Sequence, residues 1–209
     1  ILLCNTGQAT YIMGGEFTYT LIGSVPQPQK KIYKISLNYY RNCDTSAAQF
    51  QTFYDLYICY DSSNTNYKRL YTQISLDKIN TQPVTLPVLD TTCYYNNNWC
   101  VEKAYYEATV ILSEDTTWHL FLNDGARNVS INNLIQPDST GIFFYSMIPA
   151  GISNSTPQFS SLPTPFICNL DTVQLSNLAF DSDGDSLAYK LVRPYGNLGV
   201  NNLMTYQDI

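Results

Sequence analysis

Strand-like alternation runs through this chain almost without a break, and it limits the possible folds more than any other feature. Phe17, Tyr19 and Leu21 alternate with Glu16, Thr18 and Thr20. Tyr33, Ile35, Leu37 and Tyr39 alternate with Lys34, Ser36 and Asn38. Further runs of this kind cover 53–60, 67–76, 84–88, 101–112, 118–122 and 142–148. Aromatic and β-branched residues at every second position mark half-buried strands. Breakers separate the runs: Pro26 and Pro28, the stretch 61–66, Asn96 to Asn98, Asn123-Asp124-Gly125, and 137–141. No stretch has the apolar spacing of an amphipathic helix. About eight strands joined by turns predict an all-β fold, an antiparallel β-sandwich rather than βαβ units.

Composition points the same way. Only 13% of the 209 residues are charged, about half the usual share. Polarity comes instead from Asn, Thr, Ser and Gln and from 18 tyrosine hydroxyls, residue types that favour extracellular β-proteins over long helices. The net charge is −6 and no basic stripe exists, so a nucleic-acid backbone finds no partner here. No apolar run reaches the length of a transmembrane helix.

A boundary falls where residues become small, polar and proline-flanked, at 149–165. Residues 10–153 are expected to form one sandwich. Residues 154–209 supply the first strands of a second, incomplete one. Residues 1–9 resemble the end of a secretory signal peptide, with Gly7-Gln8-Ala9 offering small residues for cleavage. The expected location is secreted, at the outer cell surface.

Six cysteines occur with no C-x-x-C pair and a single histidine, His119, so a zinc site is not expected. Cys93 and Cys100 flank a six-residue loop and are expected to close it as a local disulfide. Cys43 has two candidate partners, Cys59 and Cys168, of which Cys59 is favoured. A ring of either local size contributes roughly 2.5–3 kcal/mol on chain entropy.

Near the C-terminal end, Asp181-Ser182-Asp183-Gly184-Asp185 alternates three carboxylates ahead of the strand-like Leu187-Ala188-Tyr189. Oxygen donors this close suit a hard cation, above all Ca²⁺. The EF-hand spacing is absent, because Gly184 stands at the fourth position and Val192 at the twelfth. The alternative is an Asx-turn capped by its own side chains.

Asn154-Ser155-Thr156-Pro157-Gln158-Phe159 followed by this Asp-x-Asp pair resembles the linkers of cadherin-like modules. The resemblance implies Asn154, Asp181 and Asp183 as Ca²⁺ ligands at a domain joint, with Asp185 as a further candidate. A wider series covers nearly the whole chain: Gly14-Gly15-Glu16-Phe17, 33–43 ending in Arg41-Asn42-Cys43, 100–106, Trp118-x-Leu120, Ala126-Arg127-Asn128, and Ile167-Cys168. This series is similar to the N-terminal region of gliding-motility-associated, type IX-secreted cell-surface proteins of Bacteroidetes. That resemblance implies a non-catalytic module in adhesion or gliding, with Ig-like, PKD-like or cadherin-like neighbours. Surface glycans or other cell-surface proteins are the implied partners.

Catalysis has little support. His119 stands in a strand beside Trp118 with no nucleophile pattern near it, and Glu16, Glu102, Glu107 and Glu114 occupy strand positions expected to be solvated. A carbohydrate-binding module attached to a secreted enzyme is the alternative function. Tyr94, Tyr95 and Trp99, in the loop between Cys93 and Cys100, are its candidate ligand-binding residues, since a rigid aromatic loop loses little entropy on binding.

Overall fold

The computed structural model describes residues 12–26, 29–43, 49–61, 68–85, 100–125, 127, 131, 134–137, 140–160 and 178–192. Nine strands follow in order: β1 (Ile12–Val25), β2 (Lys30–Asn42), β3 (Phe53–Asp61), β4 (Lys68–Val84), β5 (Val101–Ser113), β6 (Trp118–Asp124), β7 (Ile142–Ile148), β8 (Gln158–Phe159) and β9 (Ala179–Phe180). No α-helix occurs among the described residues. The first seven strands make one antiparallel sheet in the order β1-β2-β5-β4-β3-β6-β7, and β8 pairs with β9 in a small separate sheet. The all-β expectation holds.

The large sheet folds over on itself at β4. Residues up to Asp77 pair with β3, and residues from Asp77 to Val84 pair with β5. β4 therefore belongs to both layers, with a register shift between Lys78 and Asn80 where it passes from one to the other. The sequence suggests two short strands here, 67–76 and 84–88, where the structure has one long strand up to Val84. Pro83 is accommodated where β4 has β5 as its one partner, as proline is on an edge.

The core lies between the layers. It includes Tyr33, Ile35, Leu37 and Tyr39 from β2, Leu56 and Ile58 from β3, Ala104 and Tyr106 from β5, and Leu120 and Leu122 from β6. These are the inward positions of the alternation read from the sequence. Tyrosines take up core volume because their hydroxyls find partners: the Tyr106 hydroxyl donates to the Gln51 carbonyl at 2.8 Å.

An odd number of antiparallel strands leaves the two edge strands, β1 and β7, running the same way. They meet across a seam. At one end Phe144 lies over Gly15, where an added Cβ would stand 2.9 Å from the Phe144 ring and 2.7 Å from the Asn38 carbonyl. Further along, residues 154–156 run back antiparallel to β1 and bond its outer edge. We call this segment the strap.

The disulfide expectations need correction. Cys43 is bridged to Cys100, with their Cα atoms 5.4 Å apart. The β2–β5 ladder dictates this: Asn42 faces Val101, and the next pair along is Cys43 and Cys100, with the Cys43 N–H donating to the Cys100 carbonyl at 3.2 Å. Neither Cys93–Cys100 nor Cys43–Cys59 forms. Cys59 is a buried free thiol in β3, in the opposite layer. Cys93 and Cys168 lie outside the described residues.

Candidate functional site

The strap is the point where the C-terminal piece meets the sandwich. The Thr156 N–H donates to the Tyr19 carbonyl at 2.9 Å, and the Tyr19 N–H donates to Thr156 Oγ1 at 3.0 Å. The Leu21 N–H donates to Ser155 Oγ at 3.2 Å. The Ser and Thr hydroxyls of the linker thus stand in for a strand's carbonyls. On its other side the strap is held by an aspartate, since the Ser155 N–H donates to Asp183 Oδ2 at 2.6 Å.

Asp183 is placed by a tight turn. The carboxylate of the buried Asp181 accepts the N–H groups of Asp183 at 2.9 Å and Asp185 at 3.2 Å through the same Oδ1. Gly184 allows the turn, at φ +83°, where a side chain would be strained. This is the Asx-turn alternative realised in the backbone. Asn154 joins the cluster through the Tyr19 phenol. Burial raises the pKa of that phenol, the Asn154 bond opposes the rise, and the charges of Asp183 and Asp181 add to it.

The four residues expected to hold Ca²⁺ are therefore gathered at one place, around the strap. Asp181 Oδ1 and Asp183 Oδ2 accept backbone amides, and no group of three or more His, Cys, Asp or Glu arranged to hold a metal occurs among the described residues. In this arrangement Asp181 and Asp183 cap backbone amides of the turn and the strap. Tyr94, Tyr95 and Trp99 lie outside the described residues.

A second group of residues escaped the sequence reading. On the solvent side of β3, β6 and β7, Tyr57 stacks on Phe121 with ring centroids 5.3 Å apart. Phe121 stacks on Phe143 at 5.7 Å, Phe143 on Tyr145 at 6.5 Å, and Tyr145 on His119 at 5.9 Å. The register explains the meeting: Tyr57 and Tyr145 both face Phe121 across their ladders. The available signal was that Phe143-Phe144-Tyr145 fills both faces of one strand with aromatics.

His119 is buried beneath this stack. Its Nδ1 lies 2.7 Å from the Tyr145 hydroxyl, and its Nε2 lies 3.0 Å from Asp61 Oδ1 and 3.0 Å from Lys68 Nζ. Burial lowers its pKa, the Asp61 bond works against that, and the charge of Lys68 lowers it further. The four glutamates are tied separately. Glu102 accepts from Arg41, Glu107 faces Lys34, Glu114 faces Lys31, and Glu16 accepts from Asn38.

Inside the sandwich, at the end that carries the disulfide, Asp124 is almost fully buried. Its Oδ2 accepts the hydroxyls of Tyr39 at 2.7 Å and Tyr54 at 3.1 Å. Its Oδ1 accepts the Gly125 N–H at 2.7 Å and Gln51 Nε2 at 3.4 Å. Four donors satisfy the carboxylate, as a buried charge requires.

Comparison of the chain with family models, curated proteins and solved structures gave no match. Among the described residues, no helix is long and apolar enough to cross a membrane.

Proposed function

We propose that this chain is a non-catalytic module of a larger secreted, cell-surface protein, working in adhesion or gliding by holding the next module in a set direction. What supports this is the doubly held strap. One linker segment is bonded to β1 through Ser155 and Thr156 and to the following unit through Asp183. A linker fixed from both sides loses the freedom that would let two modules swing independently. The Cys43–Cys100 bridge fits an oxidising compartment.

Paired spin labels at the exposed positions Thr109 and Ser186 test the joint. A narrow distance distribution is expected in the native chain, broadened in Asp183→Ala; equally broad distributions in both would refute the joint. Calcium at Asp181, Asp183, Asp185 and Asn154 remains a separate proposal, suggested by the spacing of the acids. Calorimetric titration with CaCl₂ tests it, and the absence of heat would remove it. Deleting the module from the parent protein should reduce surface adhesion or gliding; unchanged cells would count against that role.

A second reading, a carbohydrate-binding module, is favoured by the aromatic stack on β3, β6 and β7.

A further inference from the structure

We propose that the free edge of β5, residues 108–113, pairs with the same edge of a second copy of this chain, joining two sandwiches through one continuous sheet. The proposal goes beyond the joint and is independent of it, because the strap is bonded to β1.

The edge arises from the way β4 changes layers. β4 lies beside β5 only between Val101 and Glu107, where residues 77–84 face it. Before Asp77 it belongs with β3 in the other layer. β2, by contrast, runs along the whole of β5, from Lys30 opposite Ser113 to Asn42 opposite Val101. Among the described residues, 108–113 therefore have a ladder on the β2 side and none on the other. Alternate residues of an antiparallel strand direct their N–H and C=O groups to opposite sides, so about half of the main-chain groups here point away from β2.

The residues on this edge suit pairing. Ala108-Thr109-Val110-Ile111-Leu112-Ser113 carries no charge and no proline, and its register against β2 has no shift. Val110 and Leu112 are buried in the core, whereas Thr109 is exposed and Ile111 is 48% exposed. The other edges are guarded, as edges of stable monomers usually are. β1 is covered by the strap at Tyr19 and Leu21 and has a register shift towards each end. The free half of β4 begins with Lys68-Arg69 and is shifted at Tyr71. β7 lies against β1 across the seam.

A second copy fits this edge better than a foreign peptide. Two-fold antiparallel pairing sets the strand against itself. Residues directly opposite must share a face of the sheet, so either Val110 or Ile111 stands on the axis. The two Ile111 side chains are then direct or diagonal neighbours, with Cβ atoms about 5–8 Å apart. No like charges meet within the segment, because it has none. Lys34, beside Thr109 on β2, is balanced by Glu107 at 3.7 Å. Both strands are already held extended by β2, so they escape the ordering entropy that a disordered peptide would lose.

Sedimentation of the 209-residue chain over a range of concentrations tests this. A reversible dimer is expected. Ile111→Lys and Ile111→Glu, each alone, should weaken it roughly tenfold or more, and an equimolar mixture of the two should recover it, because opposite charges then meet across the axis. Ile22→Lys, at a comparably exposed position on β1, should leave it unchanged. Ile111 is exposed, so its variants should keep the fold, which near-UV circular dichroism checks. A chain that stays monomeric, a dimer undiminished in both Ile111 variants, or a mixture that stays monomeric would each overturn the proposal.

Discussion

Replacing Asp124 should be among the most damaging single changes to this sandwich. Asp124→Ala leaves the buried hydroxyls of Tyr39 and Tyr54 without their acceptor. Each orphaned buried group costs about 1–3 kcal/mol, and losing one partner of a buried charged network typically costs about 3–5 kcal/mol in all. For a chain of this size that corresponds to a fall of roughly 10 °C in Tm. Tyr39→Phe removes a single hydroxyl bonded to a carboxylate and should cost about 1.5–3 kcal/mol. In the Asp124→Ala background the same change should cost almost nothing, because the hydroxyl no longer has a carboxylate to lose. The expected coupling between the two sites is therefore about 1.5–3 kcal/mol in a double-mutant cycle followed by urea unfolding. Additive effects, with coupling below about 0.5 kcal/mol, would show that the Tyr39–Asp124 bond adds nothing and that the network does not act as a unit.

Three other outcomes can be measured directly. Non-reducing peptide mapping should link Cys43 to Cys100 and leave Cys59 unreactive until the chain unfolds; opening the bridge releases a loop with a sequence separation of 57 and should cost about 4 kcal/mol. The pKa of His119 is depressed by burial, so its contribution to stability is present above the unfolded value near 6.5 and lost as pH falls through the folded value; the acid-side decline in Tm should begin lower in His119→Gln, and an unchanged profile would refute this. Gly15→Ala should cost about 1–3 kcal/mol through overpacking against Asn38 and Phe144, whereas Gly125→Ala, with nothing within 4 Å, should be nearly neutral.

Much of the sandwich was legible because its core is built on period two. Tyr33, Ile35, Leu37 and Tyr39 point inward as the alternation demands. What was hidden depends on strand order. Cys43 and Cys100 are paired because β2 and β5 are neighbours, a fact that no local spacing contains. Loop proximity favoured Cys93 instead. The length of β4 was hidden for a related reason, since residues from Asp77 to Val84 are held by pairing with β5, which lies far along the chain. At the candidate site, the meeting of Asn154 with the Asp181 turn was anticipated from the order of the motifs. The use of Asp181 as an amide acceptor was one of two readings, because a short acidic run is written the same way for an ion as for an Asx-turn. The aromatic stack on β3, β6 and β7 was missed because periodicity reports which residues face inward and is silent on what the outward ones build.

The direction of the strap decides how the joint yields to force. β1 runs from Ile12 towards Val25, and the strap runs the opposite way, with Ser155 beside Leu21 and Thr156 beside Tyr19. Tension applied before Ile12 and after Pro157 therefore pulls on the same end of this pair. The bonds then open one after another, Thr156 first, instead of resisting together as in a strand pulled lengthwise. Asp183 changes the order, because it passes load straight to Ser155 and spares Thr156 while it holds. If the chain serves as the proposed joint, the strap acts as a zip with a catch, opening bond by bond while the disulfide-bridged sandwich stays intact.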